Sequence, residues 1–112
     1  MRKILLCDDE CDIREVLEML IEVEYEAEFT HAIDGQDAIG LLRQYPGKFD
    51  LIICDMNMPN KNGLDVFNFN YDLGGKVPFF LVSAQADDIS KFKDFYTINS
   101  KNTQIMQSLI TI

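Results

Sequence analysis

The chain has 112 residues, a formal net charge of −9 and a pI near 4.4. With 47% apolar and 26% charged residues it reads as one ordinary globular domain, residues 1–112, around a single core. The acidic balance argues against direct nucleic-acid binding, which draws on cationic side chains, and no apolar run approaches the roughly 20 residues of a membrane span.

The basic pair Arg2-Lys3 is followed by only four apolar residues before Asp8. That is too short for a secretory leader, so a cytoplasmic location is expected. Cys7, Cys11 and Cys54 are an odd set without disulfide-framework spacing, and free thiols are expected.

Ile4-Leu5-Leu6-Cys7 reads as a buried strand. Ile13, Val16, Leu17, Leu20 and Ile21 then recur at helical spacing. Ala27 to Ala32 reads as a weaker second strand, with His31 expected on the surface near its end. Asp34 is placed to cap a helix whose apolar face is Ala38, Leu41, Leu42 and Tyr45, and Pro46-Gly47 ends it. Leu51-Ile52-Ile53-Cys54 is a third strand, apolar on both faces. Leu64, Phe67 and Tyr71 suggest a third helix, weakened by Asn68, Asn70 and the Gly74-Gly75 pair.

Val77 to Val82 is a fourth strand, with Pro78 near its start, where proline is tolerated. Ile89 and Phe92, with Phe95 or Tyr96, suggest a fourth helix or turn leading into a short strand near Phe95 to Ile98. Ile105, Leu109 and Ile112 mark a last helix. Strands apolar on both faces that alternate with helices predict a doubly wound α/β fold. The expected architecture is a five-stranded parallel sheet with helices on both faces, atypical in its fourth helix and fifth strand. Ligands in such folds bind at the carboxyl ends of the strands, where strand order reverses.

Those ends hold Asp8-Asp9-Glu10, Asp55 and Ser83. Three carboxylates from two strands would converge in one crevice and repel one another. A hard divalent cation with oxygen ligands resolves the repulsion, and Mg²⁺ fits best. Capping of the following helix by Asp8 or Asp9 would explain one acid but not the set. The acidic first loop also excludes a phosphate cradle of the flavodoxin or dinucleotide-binding kind, which needs a loop rich in Gly or Ser/Thr.

Leu6-Cys7-Asp8-Asp9-Glu10, Asp34-Gly35-Gln36-Asp37-Ala38, Phe49 through Pro59, Gly63, and Val77 through Ala84 together resemble the receiver domains of response regulators. The resemblance runs from residue 3 to about residue 86. It implies the flavodoxin-like receiver fold and a phosphorylation switch in two-component signalling. Asp55 would be the phosphoacceptor. Asp9, Asp55 and the Asn57 main-chain carbonyl would bind Mg²⁺, and Asp8 would act through a metal-bound water.

The same resemblance gives the Ser83 hydroxyl a phosphoryl contact. It makes Ser83 and Phe95, with Tyr96 second, the switch residues. The implied partners are a sensor histidine kinase or phosphotransfer protein upstream, and a target protein or effector domain downstream. The implied assembly is a monomer or a phosphorylation-dependent dimer, with no chemistry beyond its own phosphorylation and dephosphorylation.

One family feature is broken. Asp94-Phe95-Tyr96-Thr97-Ile98-Asn99 puts Ile98 where the family has a phosphate-contacting lysine, and Asn99 where a proline follows. Lys101 is the nearest lysine and the candidate for that role, while Lys91 and Lys93 fall on the expected fourth helix. A degenerate receiver that binds partners without phosphorylation is the alternative. A phosphatase of the aspartyl-phosphate type would need a second carboxylate where Asn57 stands.

Overall fold

The computed structural model describes residues 1–74, 77–82 and 95–97. In chain order the elements are β1 (Arg2–Cys7), α1 (Cys11–Glu22), β2 (Ala27–Ala32), α2 (Gly35–Gln44), β3 (Leu51–Asp55), α3 (Gly63–Asp72), β4 (Phe79–Val82) and the three-residue β5 (Phe95–Thr97). Four strands run parallel in the order β2-β1-β3-β4. The chain steps from β1 outward to β2, then crosses back over β1 to β3. Strand order therefore reverses between β1 and β3, as in flavodoxin-like folds.

The strands are apolar on both faces because both faces are covered. Leu5, Cys7, Ile52, Cys54, Phe79 and Leu81 point to one side and pack with Ala38 and Leu42 of α2 and Val66 of α3. Ile4, Leu6, Leu51, Ile53 and Phe80 point to the other side and pack with Leu17 and Ile21 of α1. Two cores on opposite faces of a parallel sheet are what the two-sided strands predict.

Three expectations change. The fifth strand is not parallel: β5 runs antiparallel to β4, with Leu81 opposite Tyr96. Only twelve residues separate β4 from β5. That is the lower limit for a helical crossover back along the sheet, whereas an antiparallel return needs only a turn. Second, the buried side of α3 is Gly63, Val66 and Asn70; of the three residues that suggested the helix, Phe67 packs against the core while Leu64 and Tyr71 are exposed. The close approach of Gly63 to β3, described below, sets the rotation of this helix. Third, His31 is only about a third exposed and is tied into a polar network.

The weak composition of α3 is offset at its start. Asn62 accepts from the Asp65 amide, and Asp65 accepts from the Asn62 amide, both at 2.9 Å, which makes a complete capping box. The expected fourth helix around Ile89 and Phe92 and the last helix over Ile105 to Ile112 lie outside the described residues. Among the described residues no helix is long and apolar enough to cross a membrane.

Asp34 caps α2 as its sequence position predicts, accepting the Asp37 amide at 2.7 Å. That amide, and then the Asn60 side chain at 3.1 Å, hold the Asp34 carboxyl below the ordinary carboxylate range. The folded state thus binds this proton less tightly than the unfolded chain. The resulting stability is present above the unfolded value and is lost as pH falls through the folded one. Asp34→Ala is expected to cost about 0.5–2 kcal/mol in urea unfolding at neutral pH. The gap between variant and parent should narrow below about pH 4. A gap undiminished in acid would mean that the charge of this cap contributes nothing.

Candidate metal centre at the carboxyl end of the sheet

β1 and β3 are neighbours in register, with Cys7 opposite Cys54. The residues that follow these two, Asp8 and Asp55, therefore sit at the same corner of the sheet, at the point where strand order reverses. One oxygen from each of Asp8, Asp9 and Asp55 lies within 4.8 Å of the others. Asp8 is buried, Asp55 half-buried and Asp9 exposed, so the cluster opens to solvent on one side.

Neither Asp8 nor Asp9 is the N-cap of α1. That position belongs to Glu10, whose side chain makes no capping hydrogen bond. Asp8 instead accepts the Glu10 amide through Oδ1 at 2.9 Å. The capping account of these acids is thereby set aside. What remains is a set of three oxygen donors, partly buried and mutually repulsive. Such a set fits a hard cation that keeps part of its hydration shell, and Mg²⁺ has that coordination habit.

The loop after β3 is held tightly. The Asn57 amide donates to Asp55 Oδ1 at 3.2 Å, and the Gly63 amide donates to the Met56 carbonyl at 2.9 Å. Asn60 and Lys61 have φ of 52° and 94°, where side chains are disfavoured. Such residues cost on the order of 1–3 kcal/mol unless their surroundings impose the conformation. Here Asn60 bonds to Asp34, and the Lys61 carbonyl lies against Gly35, where a Cβ would collide with it.

Cys7 and Cys54 are buried directly beneath the cluster. A hydrogen bond with Cys7, and then burial, push the Cys54 thiol well above its ordinary range, and the charges of Asp55 and Asp8 add to the effect. This thiol behaves as a small apolar group in the core.

Of the predicted site residues, Asp8, Asp9 and Asp55 are brought together, with Asn57 two residues beyond Asp55. Ser83 and Lys101 lie outside the described residues, as do Ile98 and Asn99. Phe95 and Tyr96 are described as backbone of β5 alone. Sequence reasoning passed over Arg14, which is buried on the inner stripe of α1 and donates to the Asp8 carbonyl at 2.6 Å. The available signal was an arginine at i, i+3, i+7 spacing with Leu17 and Ile21.

The sequence profile of the response regulator receiver domain matches residues 4–99. An uncharacterized response regulatory protein of Staphylococcus epidermidis is 35% identical over 96 residues, covering 83% of this chain. The chain spans only 36% of that relative's length. The response regulator protein TrrA from Thermotoga maritima, solved in complex with Mg²⁺-BeF, is 32% identical with a TM-score of 0.64. That match covers 70% of this chain and 66% of TrrA. A Francisella response regulator receiver domain shares the fold, with a TM-score of 0.70 at 21% identity over 99% of this chain and 98% of its own.

Gly63 packs closely behind Asp55. A Cβ there would lie 2.6 Å from the Asp55 carbonyl oxygen, 2.9 Å from Met56 Cα and 2.5 Å from Leu81 Cδ1. Two of these are backbone atoms that a rotamer change does not move. Gly63→Ala is expected to destabilise the fold by about 1–3 kcal/mol and to weaken cation binding by shifting Asp55. Urea unfolding and Mg²⁺ titration of the variant check both effects.

Proposed function

The chain belongs to the response regulator receiver domain family, and from that membership we propose that it is a phosphorylation switch whose acceptor is Asp55. The observation that carries the reading is the convergence of Asp8, Asp9 and Asp55 oxygens within 4.8 Å at the reversal of strand order. The donor is a phosphohistidine on a sensor histidine kinase or a phosphotransfer protein. The Asp55 carboxylate supplies the attacking oxygen. The P–N bond of the donor breaks, and the imidazole nitrogen keeps the electron pair.

Asp9, Asp55 and the Asn57 main-chain carbonyl would hold Mg²⁺, with Asp8 acting through a bound water. When bound, the ion offsets the negative charge that opposes approach of a phosphoryl group to a carboxylate. Ser83 would hold a phosphoryl oxygen, and Ser83 with Phe95 or Tyr96 would report the modification by a population shift. The output is a change of affinity for a target protein or an effector domain, as a monomer or a phosphorylation-dependent dimer. The domain acts in the cytoplasm and contacts no nucleic acid itself. The complex of TrrA with Mg²⁺-BeF supports the metal assignment by analogy.

A second reading rests on Ile98 and Asn99, which stand where the family has its lysine and proline. Under that reading the domain binds partners without being phosphorylated. A parent protein that binds Mg²⁺ yet takes no phosphoryl group from small donors or kinase would favour it.

Incubated with Mg²⁺ and acetyl phosphate, the protein is expected to gain one phosphoryl group by intact mass, and Asp55→Asn to gain none. Equal labelling of Asp55→Asn would remove the central claim. Millimolar Mg²⁺ is expected to raise the melting temperature by binding the folded state selectively. Asp9→Ala should lose most of that response while melting higher than the parent without metal, because one repelling charge is gone. Lys101→Ala tests whether Lys101 takes over the role of the missing lysine. A large loss of labelling assigns the phosphate contact to Lys101, and unchanged labelling leaves the site with Mg²⁺ and Ser83.

A further inference from the structure

Arg14, Leu17 and Ile21 are the buried residues of α1. An arginine on such a stripe keeps its charge, so the N–H groups it turns inward need acceptors. Arg14 Nη1 donates to the Asp8 carbonyl at 2.6 Å, and Nε donates to His31 Nδ1 at 3.0 Å. His31 stands on β2 beside Leu6 of β1, and its Nε2 meets Glu18 Oε1 at 3.0 Å. In the tautomer whose Nδ1 accepts from Arg14, Nε2 carries the ring hydrogen that Glu18 can accept. A chain of hydrogen bonds thus runs from Glu18 through His31 and Arg14 to Asp8.

Asp8 is gripped on several sides. Its amide donates to the Ala32 carbonyl at 3.1 Å, its carboxylate accepts from Glu10, and its carbonyl accepts from Arg14. That carbonyl belongs to the planar peptide joining Asp8 to Asp9. Fixing its direction therefore fixes the direction in which Asp9 leaves the loop.

Building on the metal-site reading above, we propose that Arg14 is a positioning residue for the cation, and that His31 acts through Arg14. The guanidinium fixes the Asp8–Asp9 peptide, His31 sets the guanidinium's tilt, and Glu18 sets the tautomer of His31. A planar fork meets two acceptors at a fixed separation. A lysine brings the same charge on one nitrogen and cannot reach both. Outer groups of this kind typically change metal affinity by about 10–100-fold when removed.

The test is calorimetric Mg²⁺ titration of the parent, Arg14→Lys, His31→Ala, His31→Asn and the double variant Arg14→Lys/His31→Ala, with metal-free melts of each. Arg14→Lys is expected to weaken Mg²⁺ binding about 10-fold. His31→Ala should weaken it several-fold. His31→Asn, whose Oδ1 can accept the Arg14 N–H, should restore most of the loss. The double variant should bind no more weakly than Arg14→Lys alone, because both changes act through one guanidinium. A merely structural role would shift the melting temperatures and leave Mg²⁺ affinity unchanged.

Parent-like affinity in Arg14→Lys, additive losses in the double variant, or no rescue by His31→Asn would each overturn this proposal and leave the metal site standing. Absence of Mg²⁺ binding by the parent would overturn the metal-site reading and this proposal together. If Arg14→Lys fails to fold, the His31→Ala and His31→Asn pair decides the matter alone.

Discussion

Three carboxylates whose oxygens lie within 4.8 Å repel one another, and the buried strands beneath them give them little freedom to separate. β1 and β3 are adjacent, in register and buried on both faces. Ile4, Leu5, Leu6, Ile52 and Cys54 are almost wholly removed from solvent, as are Phe79 and Phe80 on the neighbouring β4. Close packing of this kind resists small displacements, because interiors have the density of organic crystals. The apolar core and the polar corner are thus one arrangement. The core supplies the rigidity that the charge crowding needs.

The two halves of the acidic corner are governed by different layers. Asp8 and Asp9 belong to the α1 side, where Arg14 donates to the connecting peptide and His31 and Glu18 back the arginine. Asp55 ends β3 and leads into the loop that packs toward α2 and α3. There Gly63 lies against the Asp55 carbonyl, and Asn60 is tied to the cap of α2. The site sits at the seam between the two cores. A shift of either helical layer would move one set of carboxylates against the other.

The loop from Met56 to Asn62 concentrates the unfavourable backbone of the described chain. Asn60 and Lys61 both have positive φ, and Lys61 lies outside the usual left-handed well. The capping box of α3, the Met56–Gly63 hydrogen bond and the Asp34–Asn60 bond hold that loop from several directions. The strain of this loop is thus held in place beside the acidic corner.

Much of this was legible in the residues. The apolar runs at Ile4–Cys7, Leu51–Cys54 and Phe79–Val82, the stripe on α1, the Asp34 cap and the acids at strand ends each depend on local spacing. So does the family resemblance, which rests on short motifs. The rotation of α3 was not legible, because Leu64, Phe67 and Tyr71 make as good a helical stripe as Gly63, Val66 and Asn70. Contact between Gly63 and β3 chose the second. The direction of β5 was not legible either, because it depends on how twelve residues return to the sheet. Arg14 read as one polar residue among several, since its acceptors lie on the β1–α1 loop and on β2.

By itself the sequence determined the succession of strands and helices from β1 to β4, the doubly wound class and the three carboxylates with their candidate cation. These follow from hydrophobic period and residue chemistry, which act over a few neighbouring positions. Only the tertiary structure decided which side of α3 is buried, which way β5 runs, and that a buried arginine and a histidine stand behind Asp8. Those outcomes are set by contacts between residues far apart in the chain, where steric fit and hydrogen-bond partners are selected by packing.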